Sequence, residues 1–175
     1  AASSEHGAVD VRDEVRASVE DRYLELARTD DFVGVQTYSR TRVGPDGELG
    51  PEEGVPVLPM GYEYYPESLA ATIRQAWAVT EGTPVLVTEN GIGTDDDEQR
   101  IDYVRTALGG VLDCIDEGID VLGYTYWSAL DNFEWAFGYG PRFGIIDLDR
   151  TTQQRIVKAS GHWLGGIARA NELTD

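Results

Sequence analysis

The run Pro84-Val85-Leu86-Val87-Thr88-Glu89-Asn90-Gly91 limits what this chain can become more than any other stretch, because it is apolar without alternation and stops at a carboxylate and a glycine. Uninterrupted Val85, Leu86 and Val87 suit a parallel strand covered on both faces, where neither side meets water and alternation is lost. Glu89 then lies at the C-terminal end of that strand. In parallel α/β sheets this edge is where ligands bind, since the following loops and helix N-termini converge there. Position alone leaves Glu89 evenly divided between a functional carboxylate and the first polar residue of an exposed loop. The segment Tyr124 to Trp135 shifts that balance. It too leaves an apolar run, and it delivers Trp127, Asp131, Glu134 and Trp135 within one loop.

Around these two segments the chain alternates helix and strand. Residues 1–9 read as a small, polar, flexible lead-in. Val11, Val15, Val19, Tyr23 and Leu26 then mark the buried stripe of an amphipathic helix over Asp10 to Arg28. Phe32 to Tyr38 is a first strand. Ser39 to Pro59, with Gly-Pro-Asp-Gly inside it, is a loop long enough to carry a function or fold into a hairpin. A helix follows near Pro66, burying Leu69, Ile73, Ala76 and Trp77. After the Glu89 strand comes a helix from about Asp97 to Glu117, with Ile101, Val104, Leu108, Val111 and Ile115 inward and Gly118 as its stop. Val121 to Trp127 is the third strand, Phe143 to Asp149 a short extension or hairpin, and Lys158 to Ala170 a last helix packing through Trp163, Leu164 and Ile167. This order predicts βαβ units and a parallel sheet. All three strand ends carry functional-looking residues, as at the top face of a (β/α)8 TIM barrel, yet a full barrel needs about 250 residues.

The totals exclude several functions. A net charge of -18 over 175 residues repels phosphate backbones and anionic lipid head groups, so neither nucleic acid nor a membrane surface is an expected partner. No apolar run approaches the roughly 20 residues that cross a bilayer. Nothing marks the chain for export, and a cytoplasmic location is expected. Cys114 is the single cysteine and reads as a small buried hydrophobe. His6 and His162 make no zinc spacing, and Asp95-Asp96-Asp97-Glu98 lacks the alternating ligands of a calcium loop. That acidic run reads as a helix N-terminus. No metal and no cofactor is expected.

Five segments in one order carry a resemblance: Asp31 to Tyr38, Gly61-Tyr62-Glu63-Tyr64-Tyr65-Pro66, Thr88-Glu89-Asn90-Gly91, Trp127 to Trp135 and Arg142-Phe143-Gly144. Thr-Glu-Asn-Gly alone is weak; the ordered set is specific. The chain resembles family 1 glycoside hydrolases, the β-glucosidase family of retaining (β/α)8 enzymes, from about residue 20 onward. The resemblance implies that Glu89 is the catalytic nucleophile and that Tyr38 hydrogen-bonds and orients its carboxylate. It implies that Glu134 accepts hydrogen bonds from sugar hydroxyls, that Trp127 and Trp135 offer apolar faces to a pyranose, and that Phe143 is an aromatic near the glycone end. Core packing is the alternative for each of these aromatics. Gln36 stands where the family usually has asparagine, and Thr37 where an aromatic is common; Gln36 retains an amide for the sugar 2-hydroxyl. No basic cluster for a sugar phosphate follows Trp135, so a neutral sugar is the expected substrate.

One part of that chemistry is absent. A retaining glycosidase needs a second carboxyl group about 5 Å from its nucleophile. The family carries it in Thr-x-Asn-Glu-Pro on an earlier strand, and this sequence has no such segment; Asn171-Glu172 is followed by Leu173. Residues 10–175 are therefore expected to form about the last three βα units of a barrel, incomplete without an N-terminal segment. Three parallel strands alone expose two unpaired edges. The expected partner is a chain carrying the N-terminal portion, cleaved from the same polypeptide or made separately. The leading function is hydrolysis of β-D-glycosides by double displacement. The competing one is an inert carbohydrate-binding or scaffold fragment.

Overall fold

A computed structural model describes residues 8–173. In chain order it contains helix α1 (Ala8–Arg16), strand β1 (Val33–Gln36), the hairpin β2 (Arg42–Gly44) and β3 (Gly47–Leu49), and helix α2 (Ser68–Val79). Strand β4 (Val85–Glu89), helix α3 (Asp97–Asp116), strand β5 (Val121–Tyr124), the hairpin β6 (Ile146–Leu148) and β7 (Arg155–Val157), and helix α4 (Ala159–Ala170) follow. β1, β4 and β5 form one parallel sheet in that order, with α2 and α3 as the crossovers. Strand order never reverses, so each unit adds to the same side of the last, as in a barrel rather than a doubly wound sheet. Both hairpins lie outside this sheet. The first answers the expected folding of the 39–59 loop, and the second pairs Ile146 with Val157, a strand the sequence does not announce.

One face of the sheet is closed. Val33, Val35, Val85 and Val87 pack against Leu69 and Ile73 of α2 and Ala107, Val111 and Cys114 of α3. The other face is open: Gly34 and Gln36 are exposed, and Leu122 is 54% exposed. Neither outer edge, of β1 or of β5, is paired with another strand among the described residues.

The first helix differs from its expectation. It runs as α1, a π turn (Ala17–Asp21), a single α turn (Arg22–Leu24) and a 3-10 segment (Glu25–Thr29). Val15, Val19, Tyr23 and Leu26, assigned to the core by periodicity, are 42% to 77% exposed. Polar contacts decide the outcome: Gln75 of α2 donates to Asp21 at 2.8 Å and Glu20 at 3.0 Å, and Arg28 donates to the Val79 carbonyl at 3.0 Å. Leu24 and Ala27 of this segment pack against the sheet core. The expected lead-in falls on residues 1–7, outside the described residues, and on Ala8 and Val9, which are already helical. On α3 the buried stripe runs through Arg100, Tyr103, Val104, Ala107, Val111 and Cys114, which leaves Ile115 45% exposed.

The acidic run opens α3 by capping it. Asp96 accepts from the main-chain N–H groups of Glu98 at 3.0 Å and Gln99 at 3.2 Å, satisfying two donors that a helix start leaves free. Gly118 ends the helix at φ 89°, a conformation that glycine adopts without a Cβ penalty. Asp97 joins α3 to α4, taking the Ser160 N–H at 2.8 Å and the Ser160 hydroxyl at 2.7 Å while pairing with buried Arg100. Arg100 also donates to the carbonyls of Thr94 and Arg142, each at 2.6 Å, which ties the loop after β4 to the segment before Phe143. Burial alone raises the Asp97 carboxyl; the Ser160 bonds and Arg100 outweigh it and hold the group below the usual aspartate range. A folded-state value depressed in this way contributes stability above the unfolded value of about 3.9 that is lost as pH falls through the folded one. Asp97→Asn is therefore expected to lower stability at neutral pH and to flatten its fall below about pH 4, read by urea unfolding across pH.

Candidate active site

Glu89 ends β4, and a slip in register decides which way it faces. Val35 pairs with Val87, but Gln36 pairs with Glu89, so Thr88 is an extra residue on β4. Paired residues share a face. Without the slip Glu89, two positions after Val87, would point with it into the helix-covered core; with it, Glu89 joins Gln36 on the open face. Irregularities of this type re-aim side chains beside active sites. Thr88 fits because Gly34, nearby on β1, has no side chain: a Cβ there would lie 3.2 Å from Thr88 Cγ2.

Two donors from the end of β1 hold the Glu89 carboxylate. The Tyr38 hydroxyl donates to Oε2, and Gln36 Nε2 donates to Oε1 at 3.1 Å. Burial first, then the bond to Glu89 and the charges of Glu89 and Glu134, push the Tyr38 hydroxyl well above the ordinary tyrosine value. Tyr38 therefore stays protonated and can only serve Glu89 as a donor. Its ring meets Phe143 edge-on, with centroids 6.0 Å apart.

The carboxylate opens into a cleft of about 530 Å³ lined by Tyr38, Met60, Tyr62, Glu89, Trp127, Glu134, Trp135 and Phe143, with Ser39, Arg40 and Thr41 at one side. Of the residues that sequence reasoning selects, Glu89, Tyr38, Trp127, Glu134, Trp135 and Phe143 all meet there. Gln36 stands behind them on Glu89. Their settings differ: Trp135 is 83% exposed at the rim, whereas Phe143 is buried at 2% and acts mainly as the packing beneath Tyr38. Glu134 is oriented by Asn132, whose Nδ2 donates to Oε2 at 2.7 Å. The other acid of this loop, Asp131, is structural. It accepts from the Gly144 N–H at 2.9 Å and from Lys158 at 3.2 and 3.3 Å, anchoring the loop to the start of α4.

Sequence reasoning misses Tyr62 and Arg40. Tyr62 is pushed up to about 12, by burial first and also by the Glu134 charge. Arg40 is neutralised locally, donating to buried Glu63 at 2.5 Å and to Glu52 at 2.6 Å, and it lies over the Tyr65 ring at 4.1 Å. The sequence signal for both is the Gly61 to Pro66 segment, in which Glu63 and Tyr65 receive Arg40 and Tyr62 lines the cleft.

A carboxylate presented by two donors, facing a cleft with indole walls and a second acid, is suited to a pyranose: apolar faces for its C–H surfaces and acceptors for its hydroxyls. Comparison with known proteins agrees. The sequence model of glycosyl hydrolase family 1 matches residues 16–173. The chain belongs to that family. Within it, beta-glucosidase A of Thermotoga maritima is 36% identical over 178 residues, covering 94% of this chain and 40% of that protein. A bifunctional beta-D-glucosidase/beta-D-fucosidase of Bifidobacterium breve is 42% identical over 121 residues, 62% of this chain and 26% of its own. The crystal structure of beta-glycosidase BGL167 superposes with a TM-score of 0.89 at 55% identity, covering 95% of this chain and 40% of that one. This family 1 chain thus matches between 26% and 40% of the length of these relatives, and its three parallel strands with their crossover helices are a partial barrel.

Proposed function

We propose that this chain supplies the nucleophile and much of the sugar site of a retaining β-glucosidase, a barrel completed by polypeptide outside this sequence. The observation that carries the reading is the Glu89 carboxylate held by Tyr38 and Gln36 at the floor of the cleft. A Glu89 oxygen attacks the anomeric carbon as the aglycone oxygen departs with a proton from a second carboxyl group, leaving a glycosyl ester on Glu89. Water, deprotonated by that same second group, attacks the anomeric carbon in turn; the ester bond breaks, and the sugar leaves with its configuration retained. The second carboxyl group lies outside this sequence. Two bound donors limit the motion of Glu89, so the approach to carbon is set before substrate arrives.

A neutral sugar is favoured because Arg40, the cation lining the cleft, is already taken up by Glu63 and Glu52, while Glu89 and Glu134 leave the cleft negative. Completion of the barrel is supported by the edges of β1 and β5, unpaired among the described residues, and by the exposed stripe Val15, Val19, Tyr23 and Leu26. A second apolar groove, between α3, β5 and α4, is lined by Leu108, Val111, Leu112, Tyr124, Leu164 and Ile167.

The test is turnover of an aryl β-glucoside by the assembled protein, followed by proton NMR. Release of the β anomer first is expected. First release of the α anomer contradicts double displacement, and glucose binding without turnover establishes the inert carbohydrate-binding alternative. Gln36→Ala removes one of the two donors on Glu89, and kcat is expected to fall roughly tenfold, the loss of about 1.4 kcal/mol of transition-state stabilisation, with KM less affected.

A further inference from the structure

Tyr38 lies two residues beyond β1, where the ladder to β4 has already ended with the Thr37 N–H donating to the Glu89 carbonyl at 3.3 Å. Its hydroxyl reaches Glu89 only if its own main chain stays in place. That main chain is gripped from an outer helix: the hydroxyl of Tyr103, on α3, donates to the Tyr38 carbonyl at 2.7 Å. Tyr103 in turn accepts from Asn90 Nδ2 at 3.3 Å, and Asn90 Oδ1 accepts from the Tyr124 hydroxyl at 2.9 Å. Asn90 Nδ2 also donates to the Thr37 carbonyl at 2.8 Å. Tyr103 and Asn90 are both fully buried. A chain of hydrogen bonds therefore runs from the Tyr124 hydroxyl on β5 through the residue after Glu89 to α3 and back to the Tyr38 main chain, with the Tyr103 hydroxyl both accepting and donating.

The geometry points to Tyr103 as a positioning residue for Glu89, acting through Tyr38. This rests on the hydrolase reading above, because positioning matters only if Glu89 reacts. Tyr103 does not line the cleft. Its ring is held edge-on by Tyr64, with centroids 5.6 Å apart, so the hydroxyl arrives at the Tyr38 carbonyl in a fixed direction. Burial pushes that hydroxyl above the ordinary tyrosine value, so it is a neutral donor at neutral pH. In a buried setting each link strengthens the next, and loss of one donor leaves its acceptor without a partner.

Tyr103→Phe keeps the ring and removes the hydroxyl. In the assembled protein kcat is expected to fall roughly tenfold with KM within twofold, the pattern of an interaction expressed in the transition state. A structural role alone predicts lost stability and no particular relation to Tyr38, so the deciding readout is a double-mutant cycle. In a Tyr38→Phe background, Tyr103→Phe is expected to lower stability as before but to leave kcat unchanged. Rate effects that multiply overturn the assignment. A 3-fluorotyrosine at position 38 gives a second readout that needs no turnover: one narrow fluorine line in the parent, broadened or shifted in Tyr103→Phe. Identical lines overturn the assignment as well. Tyr124→Phe, at the far end of the chain of bonds, is expected to disturb the same line and serves if Tyr103→Phe does not assemble. A parent protein that fails to turn over an aryl β-glucoside defeats the hydrolase reading instead, and the fluorine line still reports whether Tyr103 holds Tyr38.

Discussion

Glu89→Gln is expected to lower turnover of an aryl β-glucoside by the assembled protein roughly 10⁴-fold or more, the scale seen when a nucleophile is removed. The substitution is nearly isosteric. The amide oxygen can still accept from Tyr38, so the cleft keeps its shape and sugar affinity is expected to change little. What is lost is the anionic oxygen that forms the glycosyl ester; a carboxamide is too poor a nucleophile to replace it. Steady-state kinetics beside glucose binding by calorimetry separate the two effects. Retention of a tenth of the parent rate would remove Glu89 from the chemistry.

The second large effect is expected at Gly91, and it comes from space rather than from backbone conformation. A Cβ at this position would lie 2.1 Å from the Trp127 carbonyl oxygen and 3.0 Å from the Tyr126 ring. The Trp127 N–H is meanwhile held by the Asn90 carbonyl at 2.9 Å, so the two segments cannot separate without breaking that bond. Gly91→Ala must push the segment after β5 away from β4 by about 1 Å, in a crowded region where overpacking costs about 1–3 kcal/mol or more. Trp127 moves with it. A misplacement of that size is also expected to cost roughly a hundredfold in rate. Urea unfolding and kcat measured on the same preparation test both, and an unchanged Gly91→Ala protein would mean that the close approach of these two segments is wrong.

The contrast between Glu89 and the first helix shows how much of this molecule can be read from its sequence. Val85 to Val87 announce a buried parallel strand because both faces are apolar, and the abrupt change to Glu89 places a carboxylate at the ligand-binding edge. The aromatics of the Trp127 to Trp135 loop announce a site in the same way. Which face Glu89 takes is a different matter. It depends on the extra residue Thr88 and the bare Gly34 beside it, a register relation between distant segments, Gln36 and Glu89 being 53 residues apart, that no local pattern encodes. The buried chain through Asn90 and Tyr103 is hidden for the same reason, since Tyr103 sits in the helical stripe as any core aromatic does. Periodicity also finds Val15, Val19, Tyr23 and Leu26 without saying what they face; here Gln75 and Arg28 fix the helical segment by its polar side. Gln36 shows a subtler gap: its longer amide, read as a sugar ligand, reaches the Glu89 carboxylate itself.

The most direct measurement is the mass of this chain after the assembled protein meets a 2-deoxy-2-fluoro-β-glucosyl fluoride. Fluorine at C2 slows both displacements by opposing positive charge at the anomeric carbon, while the fluoride leaving group speeds the first, so the ester accumulates. The prediction is one fluoroglucosyl group on this chain, located by peptide mapping to Glu89 and absent in Glu89→Gln. A label on another residue or on the completing polypeptide, or turnover with no ester at all, would contradict it.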